Sequence, residues 1–351
     1  MAVETRRPYI SLPYATDEEW HALRATGIGS SDAATVLGYN PYQSPARLFD
    51  VKVGIASPDD LSKNEAVELG TLLEDDVLEL YMRRTGNVVH RVRQVRRSVK
   101  HPFMVANLDA RVVGQSRLVE AKTAGLYAHK NGDWGDAEIE PDRIPTQYLC
   151  QVQHQLAVCG YDVADLPLLV GGQRLIVYSG IERDEAFIAN LIALEAEFWG
   201  RVENARTALD LYASSEHTTR EAVIEAIRVQ EPEAPLPAIA QEALALVALY
   251  RPLPITYDEA AKRWPEHARN AVQATPEVAT VFERFCSLSD EQSARKREID
   301  DCKKELALFL QDADTLLIEN TPALTWREQT RAAHSVAESS SRVMRRVKGA
   351  K

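Results

Sequence analysis

Two carboxylates and one lysine near the middle of the chain have types and a spacing that could do hydrolytic chemistry. They are Asp109, Glu120 and Lys122. Two carboxylates that face each other repel unless a cation compensates them, and a divalent ion bound by carboxylate oxygens would do so. A lysine beside such an ion could orient or deprotonate a water molecule, or stabilise a pentavalent phosphate. These residues therefore predict a metal-dependent centre for phosphodiester hydrolysis.

Two predicted strands carry these residues. Residues 105–113 and 118–122 are rich in β-branched and apolar side chains, and Gly114-Gln115-Ser116 separates them. Gly114-Gln115 suits a two-residue type II′ turn, because glycine tolerates the positive φ that its first central position requires. The segment is therefore predicted to form a tight β-hairpin.

The register of this hairpin decides whether the carboxylates meet. If Val113 pairs with Ser116, Asp109 lies directly opposite Glu120, with Cβ atoms roughly 4.5–5.5 Å apart. Glu120 and Lys122 then share one face of their strand, because successive strand side chains alternate between faces. From these residues alone, an ordinary hairpin with a surface salt bridge between Glu120 and Lys122 is an equal alternative.

Composition sets the outer limits. With 351 residues, 45% of them hydrophobic and 26% charged, the chain has the composition of a globular protein and is long enough for two domains. It contains no apolar run of about 18 residues and no signal-peptide core, so a cytoplasmic location is predicted. The four cysteines lack CxxC spacing, which favours buried thiols over a metal site or a disulfide framework.

Charge is distributed unevenly along the chain. The net charge of −11 argues against a general nucleic-acid coat protein, but Arg83 to Arg117 contains nine Lys or Arg residues and a single acid, Asp109. A basic band around one carboxylate suits a phosphate backbone. The alternative is a solvated strand face.

An N-terminal segment has the features of an anion-binding helix start. Gly29-Ser30-Ser31 precedes the apolar run that begins at Ala33, so Ser30 or Ser31 is predicted to cap a helix N-terminus. Free N–H groups there can bind an anion, and Arg24 could add a bidentate clamp on a phosphate. A plain capping serine is the alternative.

Two further helices are predicted, one before and one after the hairpin in the sequence. Residues 64–84 form an amphipathic pattern in which Glu74 borders the apolar stripe, so Glu74 is a metal-ligand candidate only if this helix packs beside the hairpin. Residues 146–159 follow Pro145 as a second helix. One face of it presents Tyr148, Gln151 and Gln155, which could hydrogen-bond phosphate or water, whereas His154 lies away from that face and is predicted to be structural.

The C-terminal third differs in character. Residues 230–238 are proline-rich and acidic and predict a linker. Apolar residues between Val278 and Phe309 alternate spacings of three and four, with a polar interruption at Gln292 and Arg295, which predicts a helix with a heptad seam. Its partner is predicted to be the helix at 237–251, or alternatively another subunit.

The chain is predicted to end in a small β-hairpin, at 315–318 and 324–327, followed by a basic tail at 341–351. This C-terminal region could contact DNA or a partner protein, or could serve packing and oligomerisation.

Four ordered blocks resemble one family, the lambda-exonuclease or YqaJ-type viral recombinase nucleases of the PD-(D/E)XK superfamily. The resemblance covers residues 16–212. Each block is weak alone, but their order and gaps together are specific. The blocks are Leu23-Arg24 with Gly29-Ser30-Ser31-Asp32, Gly70-Thr-Leu-Leu-Glu74 with Tyr81 and Gly86, Asp109 with Glu120-Ala-Lys122, and Tyr148-Leu-Cys-Gln151-Val-Gln153.

The resemblance implies a set of metal ligands. Asp109, Glu120 and the Ala121 backbone carbonyl would bind catalytic Mg²⁺, for which Mn²⁺ could substitute. Glu74 would complete the metal shell, and Lys122 would act on the nucleophilic water.

The resemblance also implies DNA contacts. Arg24, Ser31 and Gln151 match positions that contact the phosphate at the 5′ end, and Tyr148 matches a position beside the site. The chain departs from the family pattern before the motif aspartate: it has Leu108 where the family has proline, and Asn107 where the family has a serine that contacts phosphate.

The expected fold class is α/β (α+β), a restriction-endonuclease-like mixed sheet flanked by helices with a mainly helical C-terminal extension. The expected domains are a nuclease domain at 1–215, a linker at 216–240 and an accessory region at 241–351.

The expected activity is a Mg²⁺-dependent 5′→3′ exonuclease on double-stranded DNA ends in phage-type recombination, in the host cytoplasm if phage-encoded. The alternatives are a structure-selective or nicking endonuclease on the same core, and a non-catalytic scaffold that binds DNA ends. The family implies a single-strand annealing protein as partner and a homo-oligomer, a trimer in some members.

Overall fold

The computed structural model describes residues 7–140, 142–228, 236–254, 273, 275–311, 313, 315–318 and 321–325. The chain forms two compact units, Met1–Thr256 and Tyr257–Lys351. The predicted basic tail and most of the predicted acidic linker lie outside the described residues.

The first unit mixes short strands with longer helices. Its elements in chain order are β1 Tyr9–Pro13, α1 Asp17–Ala25, α2 Ser30–Val36, α3 Pro45–Val53, α4 Glu65–Thr85, β2 Val89–Arg91, β3 Gln94–Ser98, β4 Val105–Ala106, β5 Ala110–Val112, β6 Arg117–Val119, β7 Lys122–Ala124, α5 Leu126–Asn131, α6 Thr146–Cys159, β8 Val163–Val170, β9 Arg174–Glu182, α7 Glu185–Ser215, α8 Arg220–Arg228 and α9 Ala238–Ala248.

A six-stranded mixed sheet forms the centre of this unit. Strand β5 pairs antiparallel with β2 and β6, whereas β6 and β7 both run parallel to β8, and β9 closes the other side of β8 antiparallel. Leu118 points to the face where Leu156 of α6 is buried, and Val119 points to the face where Tyr81 of α4 is buried. The predicted mixed sheet flanked by helices is therefore confirmed.

Both strands predicted around the carboxylates are interrupted. Residues 105–113 divide into β4, which joins a separate three-stranded sheet with β1 and β3, and β5 of the central sheet. Strands β6 and β7 keep one register along β8, with Val119 opposite Asp165 and Lys122 opposite Leu168. Pro167 of β8 lies beside the gap between them and has no N–H to donate to the ladder. The interruption therefore leaves Glu120-Ala121 outside regular strand pairing.

Two helices, α8 and α9, extend the first unit beyond its predicted end at 215. Helix α7 begins after its N-cap Asp184, whose side chain accepts a hydrogen bond from the Phe187 N–H. Val223 of α8 and Ala243 and Val247 of α9 are buried in one cluster with residues of α7, including Leu209. This compact unit therefore reaches Thr256, past the expected boundaries at 215 and 240. The apolar face of α9 is buried in this cluster, and its pairing with the C-terminal helix stays a prediction.

The described residues of the second unit form one long helix and one hairpin. Helix α10 spans Pro276–Leu310, and β10 Thr315–Ile318 pairs antiparallel with β11 Thr321–Thr325. The predicted hairpin is confirmed, with its second strand beginning three residues earlier than expected. Within the described part of the chain, no helix combines the length and apolar character needed to cross a membrane.

Candidate active site

The two motif carboxylates lie opposite each other, as the register argument requires. Strands β5 and β6 pair with Ala110 opposite Val119, so the next residues outward are Asp109 and Glu120. The turn itself differs from the predicted type II′ loop. A hydrogen bond from the Gln115 N–H to the Val112 carbonyl closes it at 3.5 Å, and Gly114 has a φ of 77° within it. The predicted register is nevertheless confirmed.

Glu120 is a buried carboxylate surrounded by donors. Its side chain is only 4% exposed, and its Oε1 accepts hydrogen bonds from Lys122 Nζ at 2.6 Å and from Gln151 Nε2. Its Oε2 accepts a hydrogen bond from Gln155 Nε2 at 2.7 Å. Glu120 and Lys122 therefore share one face, as predicted, and the alternative of an exposed surface salt bridge is wrong.

Asp109 joins the two strands across the interruption. Its Oδ2 accepts a hydrogen bond from the Ala121 N–H at 2.8 Å. Burial, and then the negative charges of Glu120 and Glu74, raise the pKa of Asp109 well above its ordinary value. A cation at this position would relieve that repulsion.

Helix α4 brings Glu74 to the same centre. Leu73 and Val77, on either side of Glu74 in the sequence, pack in one cluster with Ala121. Helix α4 therefore packs beside the hairpin, which is the condition under which Glu74 is a metal-ligand candidate. Burial, and then the charge of Glu120, raise the pKa of Glu74 as well. Gly70, one turn earlier, has only Thr123 of β7 near its missing side chain, at 3.6 Å from an ideal Cβ to Oγ1. That distance is an ordinary van der Waals contact, so the helix and the strand lie side by side here.

Lys122 is held as a cation between these acids. Burial alone would lower the pKa of Lys122, but the charges of Glu120 and Asp109 raise it overall. The Nζ atom lies 5.5 Å from the ring centroid of Tyr148, within range of a cation–π contact. Tyr148, Gln151 and Gln155 of α6 thus line the same centre, as their shared helical face predicted.

The donor set fits a hard divalent cation. Asp109 and Glu120 supply carboxylate oxygens beside the Ala121 backbone, and their mutual repulsion is the electrostatic signature of a cation site. Among the described residues, no three His, Cys, Asp or Glu side chains form a ready-made metal cage. Mg²⁺ commonly uses one or two carboxylates and keeps several waters, so two facing carboxylates suffice for it.

A second polar cluster surrounds the start of α2. Arg24 donates a hydrogen bond from Nη2 to Ser31 Oγ at 2.7 Å, and its guanidinium stacks over the Trp20 ring at 4.8 Å. The prediction that Ser30 or Ser31 caps this helix is wrong. Gly29 is the N-cap residue. Its N–H donates a hydrogen bond to Asp32 Oδ2 at 2.9 Å, so the carboxylate in the first turn, and not a serine, satisfies this backbone group.

Lys52 of α3 completes this cluster, and no sequence pattern predicted its role there. Its Nζ lies 2.8 Å from Asp32 Oδ2 and donates to the Arg24 carbonyl at 3.0 Å. Burial alone would raise the pKa of Asp32, but Lys52 and Arg24 lower it overall. The ionised Asp32 therefore fixes Arg24 and Lys52 together, a long-range pairing that no local pattern encodes.

Helix α6 also contributes His154 to a structural pair with Glu195 of α7. His154 Nδ1 lies 2.8 Å from Glu195 Oε1, its Nε2 lies 3.0 Å from the Val105 carbonyl, and both side chains are fully buried. The prediction that His154 is structural is confirmed.

The basic band is only partly available to a phosphate backbone. Arg96 is buried, with its guanidinium 4.4 Å from the ring centroid of Tyr9 and hydrogen-bonded to the Tyr161 hydroxyl. Arg97 donates to the Thr26 hydroxyl. These two arginines make contacts within the fold. They therefore belong neither to a phosphate-binding band nor to a solvated strand face, the alternative to it.

The chain matches known proteins over its first half. Residues 19–162 match the model of the YqaJ-like viral recombinase domain. The YqaJ protein of Bacillus subtilis, described as uncharacterized, is 38% identical over 184 residues, which are 52% of this chain and 55% of that protein. A protein of African swine fever virus is 36% identical over 89 residues, 24% of this chain and 25% of the viral protein. The chain therefore spans about half the length of the Bacillus relative.

Two solved structures match part of the chain. An alkaline exonuclease (LHK-Exo) from Laribacter hongkongensis matches with 23% identity and a TM-score of 0.47, covering 57% of this chain and 99% of that one. A phage-related exonuclease from Haemophilus somnus matches with 12% identity and a TM-score of 0.39, covering 50% of this chain and 92% of that one.

Proposed function

We propose that this protein is a deoxyribonuclease of phage-type recombination that requires a divalent metal, because residues 19–162 match the model of the YqaJ-like viral recombinase domain. We further propose that it acts on double-stranded DNA ends as a 5′→3′ exonuclease. One observation carries the proposal: the Asp109 and Glu120 carboxylates face each other across an interrupted strand, with Lys122 bonded to one of them.

Mg²⁺, with Mn²⁺ as a substitute, is the proposed cofactor. Asp109, Glu120 and the Ala121 carbonyl would hold it, with Glu74 completing the shell. When bound, the ion supplies Lewis-acid activation of a phosphoryl oxygen and of the attacking water. Gln155 and Gln151 keep Glu120 oriented through hydrogen bonds to its two oxygens.

Lys122 is proposed to steady the reacting phosphate and its water. In hydrolysis the water oxygen bonds to phosphorus, and the bond from phosphorus to the leaving 3′ oxygen breaks. Negative charge accumulates on the phosphoryl oxygens and the leaving group, where an ammonium group is stabilising. The raised pKa of Lys122 keeps that ammonium charged, which supports charge stabilisation and water orientation over proton abstraction.

The cluster at the start of α2 is proposed to anchor the 5′-terminal phosphate. Arg24 is already aligned with the Ser31 hydroxyl, and Trp20 and Asp32 restrict its movement. A fixed guanidinium beside a hydroxyl suits a phosphate, since less side-chain entropy is lost on binding. Gln151 and Tyr148 would contact the strand nearer the metal. Because each cut leaves a new 5′-phosphate, the same anchor would serve every cycle.

The proposed setting follows from the domain. DNA would be processed in the cytoplasm of the host if the protein is phage-encoded, with a single-strand annealing protein receiving the product strand. A homo-oligomer, a trimer by family resemblance, would enclose the DNA.

Three substrates test the proposal, each with Mg²⁺ and with EDTA: a linear duplex with 5′-phosphates, the same duplex with 5′-hydroxyls, and a closed circular plasmid. We expect Mg²⁺-dependent loss of the phosphorylated duplex, slower loss of the hydroxyl duplex and an intact circle. Nicking of the circle would show endonuclease activity and would contradict the proposed exonuclease. Tight binding to DNA ends without any cutting would contradict both nuclease activities and would favour a non-catalytic scaffold that binds DNA ends.

A further inference from the structure

One arginine of the basic band lies beside the candidate metal centre. Arg93 occupies the short connection between β2 and β3, and it is exposed. The residue before it, Val92, donates a hydrogen bond from its N–H to the Asp109 carbonyl at 3.1 Å. This bond holds the connection against the backbone of the first motif carboxylate.

Strand pairing places Tyr14 next to Arg93. Strands β1 and β3 pair antiparallel with Pro13 opposite Gln94, so the next residues outward are Tyr14 and Arg93. Residues directly opposite each other in such a pair have Cβ atoms roughly 4.5–5.5 Å apart and share a face. Burial raises the pKa of Tyr14, and the charge of Arg93 acts against that rise. The phenol therefore lies within electrostatic range of the guanidinium.

Arg93 also lies within electrostatic range of Glu74. Burial, and then the charge of Glu120, raise the pKa of Glu74, and Arg93 is one of the cations that oppose this rise. Arg91, two residues before Arg93, forms an ion pair with Asp75, the residue after Glu74. The connection between β2 and β3 therefore runs along the turn of α4 that carries Glu74.

Arg93 differs from its neighbours in the basic band because its side chain has no partner. Arg91, Arg96 and Arg97 each donate a hydrogen bond within the fold. For Arg93, no ion pair and no side-chain hydrogen bond is formed with any residue that the structure describes. An exposed guanidinium beside a group of acids, left without a carboxylate of its own, is available to an anion of the substrate.

We propose that Arg93 binds a backbone phosphate of the DNA strand that is cut, next to the metal centre and with Tyr14 at its side. The inference rests on the proposed function and adds a second phosphate contact to the one at Arg24. The planar fork of a guanidinium matches two phosphate oxygens, and its charge balances the phosphate that the acids and their cation would otherwise hold alone.

The first experiment measures how salt affects DNA affinity. A 5′-phosphorylated duplex is titrated in Ca²⁺ buffer at several NaCl concentrations. Arg93→Gln should weaken binding by about tenfold and lower the slope of log affinity against log salt by about 0.7–0.9, the loss of one phosphate contact. Arg93→Lys should keep the slope, because it keeps the charge. Arg228→Gln, at the exposed end of α8, is the matched control and should resemble the parent.

An unchanged slope in Arg93→Gln, with native circular dichroism, would overturn the proposal. If Mg²⁺ affinity changed while the slope did not, Arg93 would act only on the charge of Glu74, and the phosphate contact would again be contradicted.

The second experiment identifies the phosphate. A neutral methylphosphonate replaces each linkage near the 5′ end in turn, and the affinity of the parent and of Arg93→Gln is compared for each duplex. At one linkage the two changes should be non-additive, because each removes the same contact. Additive losses at every linkage would contradict a contact between Arg93 and the cut strand.

Cleavage of the unmodified duplex in Mg²⁺ separates this inference from the proposed function. A parent protein that binds DNA ends without cutting them contradicts the nuclease, whereas the salt slope and the methylphosphonate series still decide the role of Arg93. A parent protein that cuts, together with an unchanged slope in Arg93→Gln, contradicts the role of Arg93 alone. A parent protein that does not bind DNA contradicts both.

Discussion

The Asp109 carboxylate accepts a hydrogen bond from the Ala121 N–H at 2.8 Å, across the point where the neighbouring strand is interrupted. This bond ties the first motif carboxylate to the backbone between the other two motif residues, Glu120 and Lys122. A regular strand would have used that N–H in its ladder. The interruption therefore contributes to the site, because it leaves the Ala121 N–H available to orient the Asp109 carboxylate.

The amide of Gln155 is predicted to orient Glu120 for catalysis. Gln155→Leu removes the donor to Glu120 Oε2 and to the Asn107 carbonyl, so activity should fall by about 10–100-fold. The control is Gln153→Leu on the same helix, whose amide donates to the Glu182 carbonyl instead. It should lower stability by about 1–3 kcal/mol without a comparable loss of kcat. Equal kcat losses in both variants would show that Gln155 acts only through the fold.

Metal removal and pH are predicted to change stability through Asp109. Its raised pKa means that its contribution to stability is present below the ordinary carboxylate range and is lost as pH rises through the elevated value. Without metal, Asp109→Asn should therefore stabilise the protein at neutral pH. Mg²⁺ at about 100 times its Kd should stabilise the parent protein by about 2.7 kcal/mol and the variant far less.

Thermal unfolding with Mg²⁺ and with EDTA measures both effects. The matched control is Asp59→Asn, which changes an exposed acid paired with Arg47. An unaltered Mg²⁺ response in Asp109→Asn would remove Asp109 from the metal site.

Arg24 is predicted to recognise the terminal phosphate. Arg24→Ala should lower cleavage of 5′-phosphorylated ends by about 10–100-fold, the value of a charge-assisted hydrogen bond, and should affect 5′-hydroxyl ends little. The fold should survive, because Asp32 keeps Lys52 at 2.8 Å. Arg47→Ala, at an exposed ion pair on α3, is the control. The anchoring role fails if both kinds of end are affected equally.

Sequence patterns predicted the local parts of this site well. The register that sets Asp109 opposite Glu120 follows from strand alternation and one turn, and the shared face of Tyr148, Gln151 and Gln155 follows from helical spacing. Both depend on residues close in the chain. The mixed sheet with helices on both faces was likewise predicted from the resemblance and is confirmed.

Long-range pairings and strand breaks could not be predicted in the same way. The β6–β7 gap coincides with Pro167, which is more than 40 residues away in sequence and meets the gap only in the folded sheet. Lys52 finds Asp32 through the packing of α2 and α3. The cap of α2 was mistaken because serines are common N-caps, whereas here Asp32 satisfies the Gly29 N–H.

The most direct test of the proposed centre is the role of Lys122. Single-turnover cleavage of a 5′-phosphorylated duplex with Mg²⁺ is compared for the parent protein, Lys122→Ala, Lys122→Gln and Lys130→Ala, which changes an exposed lysine on α5. DNA affinity is measured in parallel in Ca²⁺ buffer. We predict that both Lys122 variants lose at least about a hundredfold in rate and keep their affinity within a few-fold, because Lys122 stabilises charge that develops during hydrolysis. Near-normal cleavage with weakened binding would contradict a catalytic centre at Asp109, Glu120 and Lys122.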